Sequence, residues 1–241
     1  MSMLRSFYLI ILLLLVALKT QANCTTGVVK TPVVDSVSVA PNGDIIICWQ
    51  PPFPIDPDLD GFNIWVVDNT GANILLQALP STANCYTYLS ATNSSGSQIV
   101  QILVEAFDNC PVPNSSGVFQ GNFVSTIYLE EDFKKCTSSV DLSWNPYNGF
   151  SGLNIRYEVF VSVNGANGVS AGTVFSTSFT YLGIVSGNTY DFYVTAVENG
   201  GLGPYKSTSN IVNSDVRTAL ISPNFNYFNW ATVVDDQQID L

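Results

Sequence analysis

Three aspartates in the first half of the chain have the spacing of a calcium-binding loop. Asp56, Asp58 and Asp60 are followed by Gly61, the order in which alternating carboxylates and a turning glycine surround Ca²⁺. The twelfth position of such a loop normally holds a bidentate glutamate, and here it is Val67. We therefore expect an ordinary connecting loop and keep a Ca²⁺ site as the alternative. No other cofactor is indicated.

Histidine is absent from the sequence. This excludes Ser-His-Asp and Cys-His catalysis, histidine metal sites and histidine pH switches within this chain. Adjacent carboxylates such as Glu130 and Glu131 would point to opposite faces of a strand, so they do not form an acid–base pair. The sequence therefore predicts that the protein is not an enzyme.

The N-terminus has the pattern of a secretory signal peptide. Arg5 precedes an apolar run over residues 7–18, which is shorter than the roughly 20 residues that a membrane-spanning helix needs. We interpret residues 1–22 as the signal peptide and keep an uncleaved anchor as the alternative. The protein is then secreted or held at the cell surface, with no membrane insertion after signal removal. Its five cysteines would meet an oxidising compartment.

The charge balance argues against two classes of partner. The sequence has 8 basic and 19 acidic residues and a net charge of −11 at pH 7. Two of the basic residues, Arg5 and Lys19, belong to the predicted signal peptide. Nucleic acids and anionic membranes both demand basic patches, so neither is expected as a partner.

A strand that ends in tryptophan and is stopped by proline occurs twice. Alternation of apolar and polar positions indicates a β-strand with one face turned inward, and proline ends such a strand. The inward positions are Ile45, Ile47 and Trp49 in the first copy and Val140, Leu142 and Trp144 in the second. Together with short apolar runs between turn residues, this repeat predicts an all-β protein.

The repeated strand resembles the second strand of the fibronectin type III domain, an immunoglobulin-like sandwich. Residues 184–190, Ile-Val-Ser-Gly-Asn-Thr-Tyr, are similar to the tyrosine corner that precedes the sixth strand in that family. The first copy departs from the pattern, because Val100 stands where the corner tyrosine is expected. The resemblance implies two such sandwiches in tandem, with the first corner held in another way.

The repeat sets the predicted domain limits. Domain 1 covers residues 28–130 and domain 2 covers residues 131–218. Residues 223–241 are interpreted as the truncated start of a third repeat, because Ile239 and Leu241 copy the spacing that leads to each tryptophan. A short C-terminal tail is the alternative.

Three further runs narrow the resemblance. They are Ala-Phe-Asp-Asn-Cys at 106–110, Ser-Thr-Ile-Tyr-Leu at 125–129 and Leu-Ser-Trp-Asn-Pro-Tyr at 142–147. With Cys136, they resemble the large cell-surface proteins of gliding bacteria that use type IX secretion. Those proteins carry fibronectin type III arrays and a C-terminal sorting domain, so the resemblance implies a fragment without that domain and implies no enzyme.

Four of the cysteines are expected to form two disulfide bonds. In the fibronectin type III fold the second and fifth strands are neighbours, which brings Cys48 and Cys85 to cross-strand range on the outer side of one sheet. Cys110 and Cys136 flank the domain junction, and a bridge between them would restrict a hinge. Cys24 is left free, lipidated or paired with one of the four, since sequence cannot fix connectivity.

Two pairs of large side chains are predicted on the outer faces of the third and sixth strands. They are Trp65 with Leu103 in domain 1 and Phe160 with Tyr193 in domain 2. Such pairs are either covered cross-strand contacts or a surface that binds a protein or glycan at the cell surface. The predicted function is a secreted or cell-surface structural or adhesion module. The alternative is a carbohydrate-binding or spacer region of a secreted polysaccharide-degrading enzyme.

Overall fold

The structure is a computed structural model. It describes residues 29–68, 70–110, 114–117, 123–150, 155–198, 205–216, 232–235 and 238–240. The helices and strands assigned within these residues are all β-strands, so no helix is assigned there. None of these residues forms a helix long and apolar enough to cross a membrane. The predicted signal peptide and Cys24 lie outside the described residues.

The first sandwich contains seven of the described strands. They are β1 (Val33–Val39), β2 (Ile45–Gln50), β3 (Leu59–Val67), β4 (Asn73–Pro80), β5 (Cys85–Tyr88), β6 (Gln101–Asp108) and β7 (Val124–Ser125). One sheet has the order β1-β2-β5 and the other β4-β3-β6-β7. All the pairings are antiparallel.

The second sandwich repeats this order. Its strands are β8 (Leu129–Lys134), β9 (Ser139–Trp144), β10 (Ile155–Val163), β11 (Val169–Val174), β12 (Ser178–Tyr181), β13 (Thr189–Glu198), β14 (Lys206–Thr208) and β15 (Val212–Asp215). The sheets are β12-β9-β8 and β11-β10-β13-β14, with β15 also paired to β13. The all-β prediction of two tandem immunoglobulin-like sandwiches is therefore confirmed.

Two predicted limits can be compared with these strands. The boundary between residues 130 and 131 falls inside β8, because the second sandwich already begins at Leu129. In the region predicted to start a third repeat, β16 (Thr232–Asp235) and β17 (Gln238–Asp240) form an antiparallel hairpin that contains Ile239. The other residues of 223–241 lie outside the described part of the chain.

The two repeated tryptophans occupy equivalent buried positions in the hydrophobic cores of the two sandwiches. Trp49 and Trp144 are 2% and 6% exposed. Each ring meets an aromatic residue of the facing sheet edge-on, with Trp49 against Phe62 and Trp144 against Tyr157, both at 5.4 Å between ring centres. Edge-to-face packing is favourable for aromatic rings, and it joins the two sheets of each sandwich.

The loops before the sixth strands are held differently in the two copies. In the second, Val185 N–H donates to the Tyr190 hydroxyl at 2.7 Å, which is the expected tyrosine corner. In the first, Val100 N–H donates to Thr126 Oγ1 and Val100 C=O accepts from Thr126 N–H, both at 2.9 Å. The first corner is thus fixed by the segment that leaves the sandwich.

One of the two expected disulfides is confirmed. Cys48 and Cys85 face each other on β2 and β5 and are bonded, with their Cα atoms 4.1 Å apart. The Cys110–Cys136 bridge is wrong, because Cys136 is free and exposed, whereas Cys110 is disulfide-bonded. From Leu129 next to the junction, β8 advances about 3.3 Å per residue, so Cys136 beyond its end lies far from the junction.

Removing the Cys48–Cys85 disulfide should lower the free energy of unfolding of the first sandwich by about 3–4 kcal/mol, because closing a long loop restricts the unfolded chain. The sequence separation across this bond is 37 residues. The measurement is urea unfolding of the Cys48→Ser/Cys85→Ser variant. Cys136→Ser is the matched control and should leave stability unchanged. A loss below about 1 kcal/mol in the double variant would contradict the assignment.

Candidate binding surfaces and the inter-domain joint

The loop with three aspartates is closed by its own hydrogen bonds. Asp56 Oδ1 accepts from Asp58 N–H at 2.9 Å, and Asp56 C=O accepts from Leu59 N–H at 3.1 Å. Among the described residues, which include Asp56, Asp58 and Asp60, no three acidic, cysteine or histidine side chains gather into a metal-binding group. The Ca²⁺ alternative stays a prediction.

The outer face of the first sandwich holds a tryptophan anchored by a carboxylate. Trp65 on β3 stands opposite Leu103 on β6, and its indole N–H donates to Glu105 Oε2 at 2.7 Å. Asn63 Nδ2 donates to the same oxygen at 3.1 Å. Leu103 is only 1% exposed, which agrees with the alternative of a covered cross-strand contact at this position. Glu105 and Asn63 were not predicted, and no sequence signal beyond their alternation with Leu103 and Trp65 indicates them.

The corresponding pair in the second sandwich is stacked. Phe160 and Tyr193 are cross-strand partners whose rings lie 4.8 Å apart and 6° from parallel. The Tyr193 ring also covers Gly168, where an added Cβ would lie 2.8 Å from the tyrosine oxygen. Beside the stack, Glu158 pairs with Arg156 at 3.2 Å and with Lys206 at 3.7 Å. The predicted pairing is present, and the binding role of both pairs stays a prediction.

The segment between the sandwiches is held by three asparagines of the second sandwich. Each side-chain amide accepts from one backbone N–H of the segment and donates to one backbone C=O. Asn148 bonds Ser125 N–H and Phe123 C=O, both at 2.9 Å. Asn145 bonds Tyr128 N–H at 2.7 Å and Thr126 C=O at 3.0 Å.

The third asparagine bonds the first residue of the second sandwich. Asn210 accepts from Leu129 N–H at 2.7 Å and donates to Leu129 C=O at 3.0 Å, and it is buried. At three successive places, a side-chain amide thus makes the hydrogen bonds that the backbone of a neighbouring strand would otherwise make. We call Asn145, Asn148 and Asn210 the asparagine clamps.

A second contact joins the sandwiches through their edge strands. Val37 N–H on β1 donates to the Ser207 hydroxyl at 3.0 Å and to the Tyr147 hydroxyl at 3.2 Å. Thr208 N–H on β14 donates to the Ser38 hydroxyl at 3.1 Å. Hydroxyl groups therefore bridge β1 to β14 where a backbone ladder is lacking. Nearby, Gln50 Nε2 donates to the Tyr205 hydroxyl.

Tyr147 lies at the centre of the joint. It is 3% exposed and packs edge-on against Phe150 at 4.6 Å. Gly149 lies so close that an added Cβ would be 2.5 Å from the tyrosine ring and 2.7 Å from Val124 of the first sandwich. A glycine is required there because the buried ring has no room to move.

Burial changes the acidity of two groups at the joint. It raises the pKa of Tyr147 from 10.0 to about 12, and the nearby charge of Asp35 adds to this effect. Burial also raises the pKa of Asp35 itself, against hydrogen bonds from Gln50 and Tyr205. The joint therefore favours the neutral forms of both groups.

A groove of about 540 Å³ runs along β8 beside the joint. Its wall carries four carboxylates, Glu130, Glu131, Asp132 and Asp141. Glu131 accepts from the Ser214 hydroxyl and Asp141 from the Thr180 hydroxyl, both at 2.7 Å. An acidic wall of this kind repels anionic partners.

A comparison with known protein families agrees with the second sandwich. Residues 128–207 match the family described as "PBP1-like, fibronectin3-like domain", and the match begins next to Leu129, where the second sandwich starts. A solved structure titled "Cytokine receptor complex - Crystal form 1A" is similar at 13% identity and a TM-score of 0.33, over 75% of this chain and 95% of that one. A superposition this loose carries no functional meaning. No curated protein matches the sequence.

Alkaline pH should weaken the fold through Tyr147. Its folded-state pKa of about 12 lies above the ordinary value of 10.0, so the unfolded chain loses the proton first. The stabilisation is complete below about pH 10 and is lost as the pH rises towards 12, by about 2–3 kcal/mol. Urea unfolding across this range should show a smaller decline for Tyr147→Phe than for the unmodified chain. Equal declines would contradict the assignment.

Proposed function

We propose that this chain is a non-enzymatic structural and adhesion module of the cell surface, in which two fibronectin-type-III-like sandwiches act as one rigid unit. The observation that carries the proposal is the set of asparagine clamps on residues 123–129. A flexible tether would leave its backbone groups to water. Here six backbone groups of this segment bond to side chains of the second sandwich.

Several features support rigidity. The asparagine clamps provide six hydrogen bonds, and an unsatisfied buried backbone group would cost about 1–3 kcal/mol. Ile127 in the middle of the segment is fully buried. A single cluster of buried apolar side chains includes residues of both sandwiches, among them Val37, Val124 and Tyr147. Bending the joint would expose this cluster to water.

The surface location rests on the sequence and its chemistry. The N-terminal export pattern, the Cys48–Cys85 disulfide and the resemblance to surface proteins of gliding bacteria all favour an oxidising, extracellular setting. The lack of histidine supports a non-catalytic role. A rigid tandem unit suits a spacer that holds its contact faces at a fixed distance and orientation, and its partner would be a protein or glycan at the cell surface.

The rigidity of the joint can be measured with two spin labels. One label goes on Cys136, which is free and exposed, and the other on Ser81→Cys in the exposed turn after β4. We expect a single narrow distance distribution from pulsed electron paramagnetic resonance. Replacing Asn145, Asn148 and Asn210 by alanine should broaden it, because six hydrogen bonds worth about 1 kcal/mol each are lost.

Asn213→Ala is the matched control. Asn213 bonds Asp191 within the second sandwich, so this variant should keep the narrow distribution. A broad distribution in the chain that carries only the two labels would rule out a rigid unit.

The surface role has a separate test. Antibodies against the two sandwiches should label intact, unpermeabilised cells that express the gene, because the export pattern directs the chain outside. Labelling that appears only after the cells are permeabilised would overturn the surface assignment, whatever the stiffness of the joint.

A further inference from the structure

The indole of Trp65 links two strands on the outer face of the first sandwich. Its N–H donates to Glu105 Oε2 at 2.7 Å. On β6, Glu105 lies two residues after Leu103, the direct cross-strand partner of Trp65. Leu103, on an outward position, is only 1% exposed. Trp65 itself is half-buried.

The ring is fixed before any ligand arrives. Glu105 is itself 6% exposed and receives a second hydrogen bond from Asn63 Nδ2 at 3.1 Å. A charge-assisted hydrogen bond of this kind is stronger than a neutral one. Because the side chain is already ordered, binding to it does not require the entropy loss that a mobile side chain would suffer.

The neighbours of the ring on this face carry amides and apolar groups. Asn63 lies on one side of Trp65 and the exposed Gln101 on the other, next to Leu103 on β6. Leu75, the β4 partner of Trp65, is 45% exposed and extends the apolar strip. The one carboxylate at the ring, Glu105, is already engaged by the indole and by Asn63.

We infer that this face, which we call the Trp65 platform, binds a neutral carbohydrate. A flat aromatic face matches the C–H face of a pyranose ring, and amide groups on both sides can donate to and accept from sugar hydroxyls. A net charge of −11 disfavours acidic sugars. The inference does not depend on a rigid joint.

The second sandwich does not offer an equivalent platform. Phe160 and Tyr193 turn their ring faces towards each other at 4.8 Å, and Tyr193 lies against Gly168. The ion pairs of Glu158 with Arg156 and Lys206 put charge on this face. The same two positions therefore give a sugar-binding surface in one sandwich and a packing contact in the other.

The test follows the side-chain amide resonances of Asn63 by nuclear magnetic resonance in the full chain, with the indole N–H resonance of Trp65 as a second signal wherever Trp65 is retained. The probes are cellohexaose, laminarihexaose and mannohexaose, with a galacturonic acid hexamer as the acidic comparison. At least one neutral probe should shift these resonances saturably, and the acidic one should not. Trp65→Ala should weaken binding at least about 30-fold, as expected for a central aromatic contact. Phe160→Ala is the matched control and should bind normally.

Trp65→Phe serves if the alanine variant does not fold. It keeps an aromatic ring opposite Leu103 but loses the N–H bond to Glu105, and it should bind about 10-fold more weakly, followed through the Asn63 side-chain resonance. The proposal is overturned if no neutral probe shifts the Asn63 or the Trp65 signal, if the acidic probe binds best, or if binding survives unchanged in the Trp65 variants.

Discussion

The need to satisfy backbone polar groups in the linking segment governs how this molecule is built. Residues 123–129 leave one sandwich and enter the next while buried, so their N–H and C=O groups cannot rely on water. The asparagine clamps supply the missing partners. All three belong to the second sandwich, so the segment is fully bonded only when that sandwich is folded.

The same joint protects strand edges. An unpaired edge strand is a site of unwanted association. β1 is covered by β14 through the hydroxyls of Ser207 and Ser38, and Ser125 of β7 bonds Asn148. The exposed edge of β8 carries Glu130 and Asp132, whose charges oppose pairing with another chain. Some strand edges are thus protected by contacts with the other sandwich, and the edge of β8 is protected by charge.

The two sandwiches share a fold but differ in their loops and outer surfaces. The loop after β9 places Tyr147 in the joint, whereas the equivalent loop after β2 leaves Phe53 89% exposed. Trp65 is held by Glu105, whereas Phe160 stacks on Tyr193. The shared core around Trp49 and Trp144 tolerates these differences because outward positions do not alter packing between the sheets. Each sandwich could therefore acquire a separate role.

The sequence alone determined the strands, their inward faces, the tandem sandwiches and the Cys48–Cys85 bond, because period-2 alternation and a known strand order fix which residues face each other. It also marked the runs at 125–129 and 142–147, without showing that these two runs form the joint. Only the tertiary structure decided that Cys136 is free while Cys110 is disulfide-bonded, that Glu105 binds Trp65, and that Asn145, Asn148 and Asn210 clamp the linker. Those contacts join residues far apart in sequence through side-chain directions and domain placement, which no local pattern encodes.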